Sequence, residues 1–148
     1  MAVDMSGEEH IEAPVQKVWE ALNDAAVLKA CIPGCESLEK VSDTELNAIV
    51  SLKIGPIKAR FNGEVELTNL KPPHSYTIQG EGKGGIAGFA KGGADVELTA
   101  NGTGTVLSYT ARADVGGKIA QLGGRLIQST SKKLAAEFFS NLNKQVSG

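Results

Sequence analysis

The 148 residues carry 15 basic and 17 acidic side chains for a formal charge of −2, with 5% aromatic residues and two cysteines. A chain of this length buries about 70% of the surface its unfolded form exposes, so one domain can hold its own core without metal or disulfide staples. The balanced charge offers no footprint for a nucleic-acid backbone, and no nucleic-acid partner is expected. Cys31 and Cys35 flank Ile32-Pro33-Gly34 while His10 and His74 stand isolated, so no metal site is expected, only two reduced thiols beside a turn, one of them buried.

Taken in chain order, Met1 to Glu12 holds Asp4, Glu8, Glu9 and His10 where an export signal would have an apolar run and a small-residue cleavage site. The expectation is a cytoplasmic protein. Val3 to Ala13 alternates, with Val3, Met5, Gly7, Glu9 and Ile11 on one parity, and predicts a strand. Ala13-Pro14 then opens a short helix whose stripe is Val15, Val18, Trp19 and Leu22. Asp24 can cap a second short helix with Val27 and Leu28, which Pro33-Gly34 ends.

From Cys35 to Val115 the period falls to two, and turn signals recur at Ser42-Asp43, Gly55-Pro56, Lys71-Pro72-Pro73, Gly84-Gly85 and Asn101-Gly102. An antiparallel meander of about six strands is expected, clearest over Glu45 to Ile54, Ile57 to Leu67, Ser75 to Gly82, Ala94 to Ala100 and Thr105 to Val115. Uncharged stretches are glycine-interrupted and far shorter than the roughly 20 apolar residues of a spanning helix. After Gly116-Gly117 the stripe Ile119, Leu122, Leu126, Ile127, Leu134, Phe138, Leu142 and Val146 predicts one helix of about 28 residues, roughly 42 Å long. Gln121, Gln128 and Asn141 fall mostly on its opposite, polar side, and Gly123-Gly124 lies within it. The predicted fold is α+β over residues 1–148 as one domain: a curved antiparallel sheet of about seven strands wrapped around the last helix, with two short helices after the first strand.

The inward parity of these strands is short of bulk. Ala48, Ala59, Gly63, Gly80, Gly82, Ala111 and Ala113 sit where a helix must be met across a curved sheet. Interiors reach crystal-like density, so either the helix approaches closely or an apolar hollow remains. Glycines that let the sheet curl favour the first; a bowed sheet standing off its helix at mid-span favours the second. Such a hollow suits an isoprenoid, acyl or ring-bearing lipid.

Chemistry-bearing patterns are sparse. Gly80-Glu81-Gly82-Lys83-Gly84-Gly85 and Val115-Gly116-Gly117-Lys118 lack the Gly-Lys-Ser/Thr of a phosphate loop and fall among antiparallel strands. His74 follows Pro72-Pro73 in a turn, His10 has outward parity, and Glu64 and Glu66 share the water-facing parity of their strand, so no nucleophile finds a base. No catalytic residue is expected. Ile86-Ala87-Gly88-Phe89-Ala90-Lys91-Gly92-Gly93 reads as an apolar loop between strands, a candidate gate or partner surface.

Pro14-Val15 through Val18-Trp19, Leu28 with Cys31-Ile32-Pro33-Gly34-Cys35, Gly55-Pro56-Ile57-Lys58-Ala59, Ala87 to Gly92 and Val115 to Gly123, five blocks in order over nearly the whole chain, resemble the G-subunit family of bacterial carbon monoxide dehydrogenase. The resemblance implies a helix-grip fold of the START, birch-pollen-allergen and polyketide-cyclase kind. It also implies an apolar cavity, no catalysis, and association with a molybdenum hydroxylase of the carbon monoxide dehydrogenase type, coupled to the inner membrane surface by carriage of a quinone. On this reading the chain needs no cofactor of its own and binds a quinone or other lipid. The expected cavity wall is Trp19, Phe61, Ile78, Phe89, Tyr109, Ala111, Leu122, Leu126 and Phe138, and the mouth or partner loop is Pro33, Gly34, Ile86, Gly88 and Lys91. A maturation or scaffold protein with a packed interior is the alternative, and a small cyclase or hydrolase of the same fold a third.

Overall fold

The structure, a computed structural model, describes residues 1–147. Strand β1 (Ala2–Ile11) leads into helices α1 (Val15–Leu22) and α2 (Ala25–Cys31). Six strands follow, β2 (Cys35–Lys40), β3 (Glu45–Ile54), β4 (Ile57–Lys71), β5 (Ser75–Lys83), β6 (Phe89–Asn101) and β7 (Gly104–Gly116), and helix α3 (Gly124–Val146) ends the chain. Every pairing is antiparallel, in the order β1-β7-β6-β5-β4-β3-β2, so the first strand returns to lie against the last. The register Ala2↔Asp114 through Ile11↔Thr105 keeps Val3, Met5, Gly7, Glu9 and Ile11 on the concave side, as their alternation predicts.

The two short helices form where expected. Asp24 accepts hydrogen bonds from the backbone N–H groups of Ala26 and Val27 at 2.9 and 3.3 Å, satisfying two donors that the first turn of α2 leaves free. Helix α1 buries Val18, Trp19, Ala21 and Leu22 against one end of the sheet. There Trp19 meets Tyr76 edge to face with ring centroids 5.3 Å apart.

Two expectations are corrected. Strand β6 begins at Phe89 rather than Ala94, so Phe89 to Gly93 pair with Lys83 to Gln79 instead of forming a loop; only the turn around Gly85–Ala87 is irregular. Gly92 and Gly93 explain why that strand needs glycine: a Cβ on either would stand 2.0 Å from the Arg112 carbonyl oxygen or 2.3 Å from that of Ile78. The curled sheet closes its neighbours onto this backbone. The long helix is also shorter than its stripe suggests. Residues Lys118–Leu122 form a 3-10 turn, Gly123 has φ +94° and cannot continue a right-handed helix, and α3 runs for 23 residues. At 1.5 Å per residue that is about 35 Å.

Helix α3 runs nearest β1 along one arm of the grip and nearest α2 and β3 along the other, while the middle strands bow away from it. Three side-chain amides tie it in place. Gln128 Nε2 donates to the Asp4 carbonyl at 2.9 Å, Asn141 Nδ2 to that of Cys31 at 3.1 Å, and Asn143 Nδ2 to that of His10 at 3.0 Å. Asn143 Oδ1 also accepts from the Glu12 N–H at 2.9 Å. Gln128 and Asn141, expected on a solvated face, are therefore straps to the edge strand and to α2.

Candidate functional site

The bowed middle of the sheet leaves two apolar hollows along α3. The first, about 340 Å³, is walled on the sheet side by Leu46, Ala48, Val65, Ile78, Ala94 and Tyr109, and on the helix side by Ala135, Phe138 and Phe139. Leu22, Leu28 and Ile32 roof it from α1, α2 and the turn that follows. The second, about 300 Å³, lies further toward the start of α3, between Val50, Phe61, Gly63, Ala90 and Ala113 on the sheet and Ile127, Thr130, Ser131 and Leu134 on the helix. Gly80 pairs with Gly92 on the inner parity between them, so this part of the sheet puts no side chain across the gap. From Ile127 to Phe139 the helix covers both hollows over about 18 Å at 1.5 Å per residue.

Polar groups are few inside. Tyr76 and Tyr109 line the first hollow with their rings, its wall being almost wholly carbon, and Thr130 and Ser131 line the second. The Ser131 hydroxyl donates to the Ile127 carbonyl at 2.8 Å. Burial pushes the Tyr76 phenol well above its ordinary value, and burial followed by the Glu9 charge raises that of Tyr109, so both remain neutral donors at physiological pH. The Tyr109 ring stacks on Phe139 at 5.3 Å and its hydroxyl reaches Gly7, where a Cβ would come within 3.0 Å of the oxygen. Among the described residues no carboxylate, imidazole or thiol lines either hollow. The convex face carries troughs of about 400 and 470 Å³, but Lys71, Asp95 and Glu97 wall one and Glu64, Glu66, Glu81 and Arg112 the other, and such charged walls suit water.

Among the described residues no three His, Cys, Asp or Glu side chains converge to hold a metal. Cys31 is fully buried and burial raises its thiol pKa; Cys35 is half-buried, with burial again the largest influence on its raised value, and its Sγ donates to the Ser37 carbonyl at 3.3 Å.

Of the expected wall, Ile78, Tyr109 and Phe138 line the first hollow and Phe61 the second. The others lie elsewhere. Trp19 is core, behind Tyr76 and Leu22. Phe89 has the convex parity of β6, 40% exposed, with its ring over Gly116. Ala111 lines neither hollow although it pairs with Ala94, which does. Leu122 sits in the 3-10 turn, and Leu126 packs on the Gly55 turn, where a Cβ would meet its Cδ2 at 2.9 Å. Phe139, Ala94 and Ile32 are wall residues that periodicity did not single out, and Met5 and Leu28, read only as strand and helix positions, join them. Phe139 follows Phe138 directly, and the stripe spacing favours only one of such a pair.

The expected mouth is divided too. Pro33-Gly34 is pinned to β3, the Ser51 N–H donating to the Gly34 carbonyl at 2.9 Å, and only the adjacent Ile32 reaches the first hollow. Lys91 faces the convex trough. Gly88 lies backbone to backbone with Gly116 and Gly117, whereas Ile86 projects outward. Among the described residues no helix is long and apolar enough to cross a membrane.

The family model for CoxG, the G subunit of carbon monoxide dehydrogenase, matches residues 7–147. A conserved protein from Geobacillus kaustophilus is 33% identical, with 98% of this chain and 95% of that one covered at a TM-score of 0.92. A START superfamily protein from Mycobacterium smegmatis shares the fold at 13% identity and a TM-score of 0.74, over 97% and 96% of the two chains. The ZhuI aromatase/cyclase from Streptomyces sp. R1128 does so at 10% identity and 0.72, over 99% and 94%. Among curated proteins no relative matches.

Proposed function

The chain belongs to the CoxG family of carbon monoxide dehydrogenase G subunits, and from that premise we propose that it is a non-catalytic accessory subunit that carries an apolar molecule, a quinone or another lipid, in the hollows beneath its sheet. The observation that carries this reading is the pair of apolar hollows end to end along α3, with walls of aliphatic and aromatic carbon and no acid or base. Their walls are almost wholly carbon, and a hydrocarbon guest that covers them gains about 25 cal/mol for each Å² of apolar surface taken out of water. The guest is elongated and mostly hydrocarbon, in keeping with walls that are almost wholly carbon. The partner that takes or returns it is, on the family premise, a molybdenum hydroxylase, with the inner membrane surface as the reservoir.

The absence of carboxylate and imidazole from the walls speaks against a cyclase or hydrolase, since either needs a proton donor or acceptor within reach of the substrate. Native mass spectrometry of protein purified from its own host, followed by solvent extraction, is expected to show a bound lipid or quinone. An empty interior that takes up no quinone would leave the scaffold reading in its place. Replacing Ala94 with Phe fills the first hollow. It is expected to abolish retention of the guest while stability changes by less than about 1 kcal/mol, against the roughly 1–3 kcal/mol that overpacking costs in a filled core.

A further inference from the structure

Helix α3 is strapped to β1 through two side chains, Gln128 on the Asp4 carbonyl and Asn143 on that of His10. Between them the helix covers about 22 Å at 1.5 Å per residue. Along that length β1 has a free edge. Met1 and Val115 exchange both backbone hydrogen bonds, at 3.0 and 2.7 Å, and antiparallel pairing alternates. The odd-numbered residues of β1 therefore bond to β7, while Asp4, Ser6, Glu8 and His10 turn their N–H and C=O groups away from it, to the side where α3 lies. Asp4 and His10 give their carbonyls to the straps, and Ser6 and Glu8 are left between them. Midway along the facing flank of the helix Ala135 brings only a methyl group to this gap. The first hollow lies behind it, since Met5, Tyr109, Ala135 and Phe139 are all in its wall.

Two polar side chains stand at this window, both on the concave parity of the sheet. The Tyr109 ring lies across Gly7, its hydroxyl only 3.0 Å from where a Cβ would be, so the oxygen ends over the edge strand rather than inside the hollow. Glu9, half-buried, is the diagonal neighbour of that tyrosine: it pairs with Leu107 while Gly7 pairs with Tyr109, a separation long side chains bridge. The Glu9 charge acts on the phenol, whose pKa it helps to raise. Among the described residues Glu9 forms no ion pair, with Lys132 of the facing helix or with any other cation. Nor do its carboxylate and the Tyr109 hydroxyl have hydrogen-bond partners there. An inward charge on an edge strand also guards against pairing with another chain, but that task needs no tyrosine hydroxyl brought across a glycine beside it.

We propose that this window holds the polar head of the guest, with the tail in the hollows, and that the head it selects bears a hydroxyl group, as a hydroquinone or a lipid alcohol does. The hydroxyl donates to Glu9, and Tyr109 bonds the same head. A carboxylate accepts hydrogen bonds and donates none, whereas a phenol does both. An oxidised quinone offers only acceptor oxygens, so it meets Glu9 acceptor against acceptor and keeps Tyr109 alone. The chain thus favours the reduced form of a quinone. This deepens the carrier reading above and rests on it.

Calorimetric titration of the full chain under argon with decylubiquinol and decylubiquinone, and with dodecanol and its methyl ether, tests it. The quinol is expected to bind at least about tenfold tighter than the quinone, the worth of one hydrogen bond to a charged acceptor. In the parent protein a tenfold preference also raises the two-electron midpoint of the bound quinone by about 30 mV, a readout that needs no variant. Glu9→Gln supplies an amide that donates as well as accepts, and is expected to bring the two affinities within about twofold of each other. Tyr109→Phe is expected to weaken both forms by about two- to tenfold and keep their ratio. Glu97→Gln, on the convex face, changes neither, and melting curves matching the parent confirm that the variants fold. Dodecanol bound tighter than its ether extends the site to any hydroxyl head; equal binding of these two beside a preferred quinol narrows it to hydroquinones. Equal affinity for quinol and quinone, or a preference that survives Glu9→Gln, would overturn the head site and leave the carrier reading standing. A Glu9-dependent preference for dodecanol without uptake of either quinone form keeps the site and removes quinone carriage, and uptake of none of the four sinks both.

Discussion

The two ends of the grip are closed by opposite means. At the α1–α2 end, side chains do it: Val18, Cys31 and Leu142 show no exposed surface, Ile11 and Leu107 only 1%, and Trp19 braces Tyr76. At the other end a smaller cluster of Ile54, Phe61, Val115 and Ile119 is covered by glycine-bearing turns that press backbone on backbone, as Gly88 does on Gly116 and Gly117, and leave Ile86 in solvent. The difference teaches that one sheet can be sealed in two ways, because helices bring bulk whereas turns bring shape and exposure. Between the two ends lies the region neither fills.

The sharpest way to break this comparison is to remove bulk from the sealed end and from the hollow wall in turn. Leu142→Ala is expected to cost about 2–5 kcal/mol in urea denaturation, the range for truncating a fully packed leucine. Ile78→Ala, with one side on the hollow, is expected to cost well under half as much; equal costs would mean that the hollow is packed. Next in size is Gly92→Ala at mid-sheet. Its Cβ would stand 2.0 Å from the Arg112 carbonyl oxygen, so β6 must shift, and a loss of about 1–3 kcal/mol is expected by the same measurement. Asp24→Ala removes the cap of α2 and is expected to lower stability by about 1 kcal/mol in thermal melts.

The smallest effect is confined to high pH. The folded-state pKa of Tyr76 is raised by burial, so its contribution is intact below the ordinary tyrosine value of about 10 and is lost as the pH climbs above it, where the unfolded chain alone ionises. Tyr76→Phe is expected to reduce the alkaline slope of stability between about pH 10 and 11 while leaving that near neutral pH almost unchanged; an unaltered slope would mean that the phenol is not buried as described.

Much of the architecture is legible because it depends on short-range patterns. The alternation of Val3 to Ile11, the stripe Val15, Val18, Trp19 and Leu22, the Asp24 cap and the bounds of β3 follow from periods of two and 3.6 and from a single side-chain oxygen. Strand β6 reads too short because Gly88, Gly92 and Gly93 carry no hydrophobic signal, and with its start misplaced the parity of Phe89 and Lys91 stays hidden. Gln128 and Asn141 look like solvated positions because periodicity records that a side chain is polar, not that a backbone carbonyl awaits it. In the candidate site the shortage of bulk at Ala48, Gly63 and Ala113 points to the hollows, whereas Ala111, equally small and on the same parity, lines neither.

By itself, then, the sequence determined the order and kind of the elements, the small inner face and the long closing helix, since each is encoded in neighbours a few residues apart. Only the tertiary structure decided that this small face becomes two hollows and which aromatic residues wall them. Those outcomes depend on how far a curled sheet stands from its helix and on which turns meet. Both distances are set by strand register and backbone contact across the whole chain, and no local pattern contains them.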